Sequence, residues 1–157
     1  MTGHGSARGS NRRLALRLMV YMTDKDAVVV GSLWSIGLIR SALTVRHGAP
    51  RQGSEGAPDA WLDVHPWAAD GLFRLAVGDQ IIVITWLHQG RRDVLQVYPR
   101  SNPNSPLTGV FATRSPDRPN PLGLHPVVVR EIDGTSVRIG PIEAIDGTPV
   151  VDIKPVL

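Results

Sequence analysis

The chain has 157 residues, 42% of them hydrophobic, no cysteine, and 17 basic against 14 acidic side chains, for a formal net charge of +3. That length suits one domain burying about two-thirds of its unfolded surface. The missing cysteines exclude a disulfide framework and a thiolate ligand or nucleophile, and no stretch reaches the ~18–20 apolar residues that cross a bilayer. A cysteine-free chain fits a reducing cytoplasm. The basic excess is local: residues 1–23 hold Arg8, Arg12, Arg13 and Arg17 and no acid, and without those four the chain has 13 basic against 14 acidic residues, a net of −1. A nucleic-acid surface on the body must therefore be a patch rather than a global field.

Residues 1–30 are expected to form a disordered or weakly ordered extension, because residues 1–11 are rich in Gly, Ser and Arg. Arg12–Met22 looks superficially like a signal peptide. Arg17 interrupts its apolar run and no small-residue cleavage site follows, so a short helix or a disordered arm is expected, with Met22 a candidate start. Leu33–Arg40 predicts a strand, and residues 41–58, with three Gly and two Pro, a long loop. Ala60–Val64 predicts a short strand and Trp67–Leu75 one short amphipathic helix ended by Gly78-Asp79. Gln80–His88 predicts a strand buried on both faces, and Asp93–Tyr98 its return. Residues 100–108 form a loop, and Gly109–Thr113 a further strand. Val127–Ile132 and Ser136–Gly140 flank the turn Asp133-Gly134, and Ile142–Ile145 and Pro149–Ile153 flank Asp146-Gly147. Eight or nine short strands, one short helix and no βαβ alternation indicate an all-β fold, a small antiparallel barrel or sandwich.

The chemistry concentrates in residues 108–126, TGVFATRSPDRPNPLGLHP. Pro116, Pro119 and Pro121 stiffen this loop. Arg114, Arg118 and Asn120 are thereby presented on a backbone that loses little entropy on gripping a ligand. Gly123 allows a turn or a close approach. Arg91, Arg92 and Arg100 lie on neighbouring loops and are candidates for phosphate contact. In the second dense stretch, 144–155, Asp152 and Lys154 share one strand face. They form either an ion pair buttressing a site or an active-site pair, with Asp146 nearby. There is no phosphate-binding glycine loop and no histidine pair at metal-ligand spacing. Ser115, His88 and Asp152 make a hydrolytic triad only on paper, without a nucleophile elbow.

The run GVFATRSPDRPNPLGL followed by DGTPVVDIKP closely resembles the signature of the TsaA-like family, also called TrmO-type or UPF0066, from about Ile36 to Pro155. The resemblance implies a β-barrel domain over residues 31–157 that binds S-adenosyl-L-methionine and methylates threonylcarbamoyladenosine beside the anticodon of certain tRNAs. It implies cofactor contacts from Arg51 and Gln52 (after Pro50), His88, Gln89, Arg114, Leu124, Ile142 and Glu143, from loops meeting at one end of the barrel. It further implies a homodimer with part of the pocket at its interface, and neither metal nor membrane. Methyl transfer from an activated sulfonium needs alignment with an amine nitrogen at about 3 Å and a nearby carboxylate. Asp146 and Asp152 are both candidates, with Lys154 beside the second. The chain departs from the family pattern at Glu143, commonly Asp, at His125, commonly Ser, and at Val156, commonly aromatic. It also stops at Leu157, where bacterial tRNA-modifying members continue into a further domain. The departures leave two alternatives open: a regulatory cofactor-binding module, and a methyltransferase of a small molecule.

Overall fold

Alternating apolar side chains draw six short strands into a ring. The computed structural model describes residues 30–157; Arg12–Met22 and the expected extension up to residue 29 lie outside them. Residues 32–157 form one compact unit. The strands are β1 (Gly37–Arg40), β2 (Ala60–Val64), β3 (Gln80–Trp86), β4 (Gln96–Val97), β5 (Thr108–Gly109), β6 (Leu122–Asp133), β7 (Ser136–Gly140) and β8 (Pro149–Pro155). A closed antiparallel barrel runs β1-β2-β7-β6-β3-β8, with β8 returning to β1, while β4 and β5 pair separately as a small ribbon. Inward positions carry Ile39, Leu62, Ile81, Val83, Val127, Val129, Val137, Ile139 and Val150, all buried. Each such side chain removed from water stabilises the fold by about 1.5–3 kcal/mol.

The register sets the ends of the barrel. Arg40 faces Trp61, Ala60 faces Ile139, Trp86 faces Leu122 and Leu38 faces Pro149. The C-terminal ends of β1, β3 and β7 and the N-terminal ends of β2, β6 and β8 therefore point the same way. The three long connections, residues 41–59, 87–121 and 141–148, leave from that end. Residues 65–79 and the tight turn at Gly134, whose φ is +59°, lie at the other.

Several sequence expectations need correction. The predicted short helix at Trp67–Leu75 is present as a 3₁₀ helix, Pro66–Leu72, and Ala68, Leu72 and Leu75 pack against the core as expected. Pro66 starts it, and of the expected apolar face only Trp67 turns outward, 64% exposed. β3 is not buried on both faces: Ile81, Val83 and Thr85 point inward, and Ile82, Ile84 and Trp86 are half-covered outside. Asp93–Tyr98 does not return beside β3. Only Gln96 and Val97 pair, and they pair with Gly109 and Thr108. Gly109–Thr113 is a strand only at Gly109, the end of β5, because Val110–Ala112 forms a 3₁₀ turn that buries Val110 and leaves Phe111 83% exposed. The Val110 amide donates to the Leu95 carbonyl at 2.9 Å, and the short ladder ends there. Ile142–Ile145 carries no ladder either, but plugs the barrel with Ile142 and Ala144. β6 begins earlier than the predicted Val127, at Leu122.

Candidate functional site

The three long loops tie to one another at the open end of the barrel. Arg46 in the first reaches the second, donating to the Asp117 carboxylate at 2.7 Å and the Gln89 carbonyl at 3.2 Å. The Arg91 amide donates to the other Asp117 oxygen at 2.8 Å. Arg100 joins Glu55 at 2.6 Å, again linking the second loop to the first. Gly90 and Gly53 supply close approaches. A Cβ at Gly90 would stand 2.4 Å from the Pro116 carbonyl oxygen, and one at Gly53 would stand 2.5 Å from that of Pro141. The third loop meets the first at Asp146, whose carboxylate accepts from the Ser41 amide at 3.0 Å.

Asp117 is the hub of this lacing. Burial raises its carboxyl, but hydrogen bonds from the Arg46 guanidinium and the Arg91 amide outweigh burial and hold it below its ordinary value of 3.8. A depressed carboxyl favours the laced state above that value and loses the contribution as pH falls through the lowered one. The Arg91 amide resonance should therefore shift only in acid below the ordinary value, and should stay flat over that range in Asp117→Asn. An Arg91 shift that titrates identically in both proteins would show that Asp117 does not carry the lacing.

The residues singled out in the sequence fall into two groups. Arg51 and Gln52 are exposed on the first loop beside Gly53, and Glu143 lies opposite; its Oε2 is 3.6 Å from the position of a Cβ on Gly53. His88 and Gln89 are exposed at the start of the second loop. These form a mouth group. The other group lies on the outer wall. In β8 the register shifts, so that Thr85 faces Val150 but Ile84 faces Asp152. The bulged Val151 re-aims the strand, placing Asp152 and Lys154 outward as an ion pair 2.9 Å long. Ile84 also faces Leu124, so Asp152, Ile84 and Leu124 make one row across β8, β3 and β6. The Arg114 guanidinium donates to the Leu124 carbonyl from this side at 3.4 Å. Arg92 stacks on Trp86, 5.4 Å from the ring centre, and donates to the Pro119 carbonyl at 2.8 Å.

Four assignments meet prior engagements. Ile142 is fully buried, and its amide donates to the Pro58 carbonyl at 2.9 Å. Arg91 pairs with Asp93 at 2.9 Å and Arg100 with Glu55. Arg118 is turned into its own loop, donating to the carbonyls of Ser115 at 2.7 Å, Val110 at 2.8 Å and Thr113. Asn120 remains exposed. An open groove of about 770 Å³ lies beside the mouth, lined by Arg91, Asp93, Leu95, Gln96 and Asp117 among others, and by none of the expected cofactor contacts. Among the described residues no group of three or more His, Asp or Glu is placed to hold a metal, and no helix is long and apolar enough to cross a membrane. Sequence reasoning missed the buried contact of His125 with Thr85 and Glu143. It started β6 at Val127; a start at Leu122 would have put His125 on the inward face.

The family of the tRNA-methyltransferase O N-terminal domain matches residues 38–157. The chain belongs to this family. Similar to this chain is a probable S-adenosyl-L-methionine-binding protein of Archaeoglobus fulgidus, 42% identical over 123 residues, 78% of this chain and 33% of that protein. One of Methanothermobacter thermautotrophicus is 39% identical over 120 residues, 76% of this chain and 85% of that protein. The crystal structure of TrmO from Pseudomonas aeruginosa superposes with a TM-score of 0.62 at 29% identity, over 82% of this chain and 57% of that one. The chain thus spans a third of the Archaeoglobus protein and under three-fifths of the Pseudomonas chain.

Proposed function

We propose that residues 31–157 form a domain that binds S-adenosyl-L-methionine at the loop end of the barrel and transfers its methyl group to the amine nitrogen of threonylcarbamoyladenosine next to a tRNA anticodon. The observation that carries this reading is the meeting of three loops at one end of a TrmO-type barrel, bringing Gly53, which follows Arg51 and Gln52, close to Glu143. The donor set suits the cofactor chemically: carboxylate oxygens for its ammonium and hydroxyl groups, guanidinium for its carboxylate. When bound, the cofactor supplies an activated methyl on sulfur. The chain's part is to orient that methyl towards the acceptor nitrogen, and to place a carboxylate, Asp146 or Asp152, for the proton the nitrogen loses. Lys154 holds Asp152 in place on the outer wall.

Arg92 and Asn120, neither paired with an acid among the described residues, and the groove beside the mouth support an RNA-facing side. Exposed Leu122 and Leu124, beside Arg114 on the outer wall, support a homodimer whose partner completes the pocket, acting in the cytoplasm with tRNA. A second reading, a cofactor-binding module without RNA, is favoured by the pairing of Arg91 with Asp93 and of Arg100 with Glu55, which leaves fewer free cations.

Titration calorimetry should register S-adenosylhomocysteine binding at micromolar strength, roughly −8 kcal/mol. Arg114→Ala should weaken it roughly ten- to a hundredfold, the effect of one charge-assisted hydrogen bond worth about 1.5–3 kcal/mol. No heat and no thermal shift at millimolar ligand would remove the reading. Tritiated-methyl transfer to bulk tRNA separates the methyltransferase from the module.

A further inference from the structure

β6 sends every second side chain into the barrel, and His125 follows Gly123 inward. The imidazole is 4% exposed. Its Nε2 lies 2.8 Å from the Thr85 hydroxyl on β3, and its Nδ1 lies 2.9 Å from Oε1 of Glu143. A carboxylate can only accept, so the ring carries a proton on Nδ1 and donates it to Glu143. Gly123 closes the remaining side: a Cβ there would stand 2.5 Å from both Nε2 and the Thr85 oxygen. The ring therefore has one orientation.

The chain Thr85–His125–Glu143 has the order of a nucleophilic triad, but the Thr85 side chain is 0% exposed and cannot reach a substrate. What the chain can do is fix a carboxylate. Glu143 gives Oε1 to His125. Its Oε2 accepts no hydrogen bond among the described residues and faces the loop that carries Arg51 and Gln52. The Glu143 side chain is 20% exposed, enough to meet a ligand from one direction.

We propose that His125 is a positioning residue of the cofactor site: from inside the barrel it holds Glu143 so that Oε2 accepts from the ammonium or a ribose hydroxyl of S-adenosyl-L-methionine. This rests on the reading above that the cofactor occupies the loop end. A pre-oriented carboxylate binds more tightly because less side-chain freedom is lost on binding.

The test is S-adenosylhomocysteine calorimetry on the full chain. Glu143→Gln and His125→Leu should each weaken binding about tenfold. Their combination should be no weaker than Glu143→Gln alone, since His125 acts through Glu143. His125→Gln, whose amide can donate to Glu143 and accept from Thr85, should stay within about threefold of wild type. The ¹⁵N imidazole spectrum of the wild type, with the His125 signals assigned by their loss in His125→Gln, should show a protonated Nδ1. His125→Leu binding like wild type, additive losses in the double variant, or an unprotonated Nδ1 would each overturn the proposal. Should His125→Leu not fold, the His125→Gln affinity and the wild-type spectrum decide alone. If wild type binds and Glu143→Gln binds equally well, the cofactor reading stands and this one falls. If wild type binds nothing, both fall.

Discussion

Arg118→Ala is expected to release the 110–121 loop and to cost roughly a hundredfold in cofactor affinity while the barrel stays folded. One guanidinium serves three backbone carbonyls, those of Ser115, Val110 and Thr113. Hydrogen bonds to a charged group are worth about 1.5–3 kcal/mol each. Three on one group are not additive, so about 3 kcal/mol of local order is the expected loss, roughly two factors of ten. The loop also carries Arg114 and Asp117, so its release undoes both the outer-wall contact and the lacing between loops. Lysine should not rescue, because a single ammonium lacks the planar fork that reaches several carbonyls at once. Amide exchange across 110–118 and calorimetry with S-adenosylhomocysteine check this. Loop protection and affinity both within twofold of wild type would sink it.

The second large effect is expected at Gly123→Ala. The added methyl would stand 2.5 Å from two buried polar atoms, Nε2 of His125 and the Thr85 oxygen, and 3.0 Å from a Leu87 methyl. None of the three sits at the end of a long flexible side chain. Overpacking of this kind costs about 1–3 kcal/mol, and parting Thr85 from His125 adds a share of a buried hydrogen bond, about 1 kcal/mol. In a chain of this size each kcal/mol lowers the melting temperature by about 2–4 °C or somewhat more, so a drop near 10 °C is expected. Gly109→Ala is the control. Its nearest neighbour for a Cβ is 4.0 Å away and its φ of −60° is open to alanine. Equal melting temperatures for the two variants would show that Gly123 is not the close approach the geometry makes it.

These two residues also mark what the amino-acid pattern reveals and what it conceals. Ala60–Val64 and Ser136–Gly140 are legible to the residue, because period-two alternation between turn signals has no competing solution. Gly123 is legible as a close approach, though not what it approaches. Val110 and Phe111 have the composition of a strand, yet the chain turns there, because the neighbouring β4 is only two residues long: the Val110 amide still donates to the Leu95 carbonyl at 2.9 Å, and no ladder continues past it. Arg118 is legible as a stiffly held cation but not as one turned upon its own loop. The pairs Arg46–Asp117 and Arg100–Glu55 join residues 71 and 45 positions apart. Local periodicity carries no information at such separations, so arginines later found paired could be counted as free for phosphate. His125 was hidden by a strand boundary misplaced by five residues, which moved it off the inward face.

A ring of strands also limits how copies of the molecule can meet. Sheets with open margins associate by adding strand to strand, through unpaired amides and carbonyls. Here β8 pairs with β3 on one side and β1 on the other, and the ring β1-β2-β7-β6-β3-β8 is closed. Outside it, β4 and β5 offer margins only two residues deep, too short to template a continuous sheet. Among the described residues, backbone-to-backbone growth, the route to fibrils, therefore finds little purchase, and association through side chains is favoured. The outward-facing Leu122 and Leu124 of β6, with Ile84 opposite Leu124, offer apolar surface suited to that, and a side-chain contact has a fixed geometry that a sliding strand contact lacks.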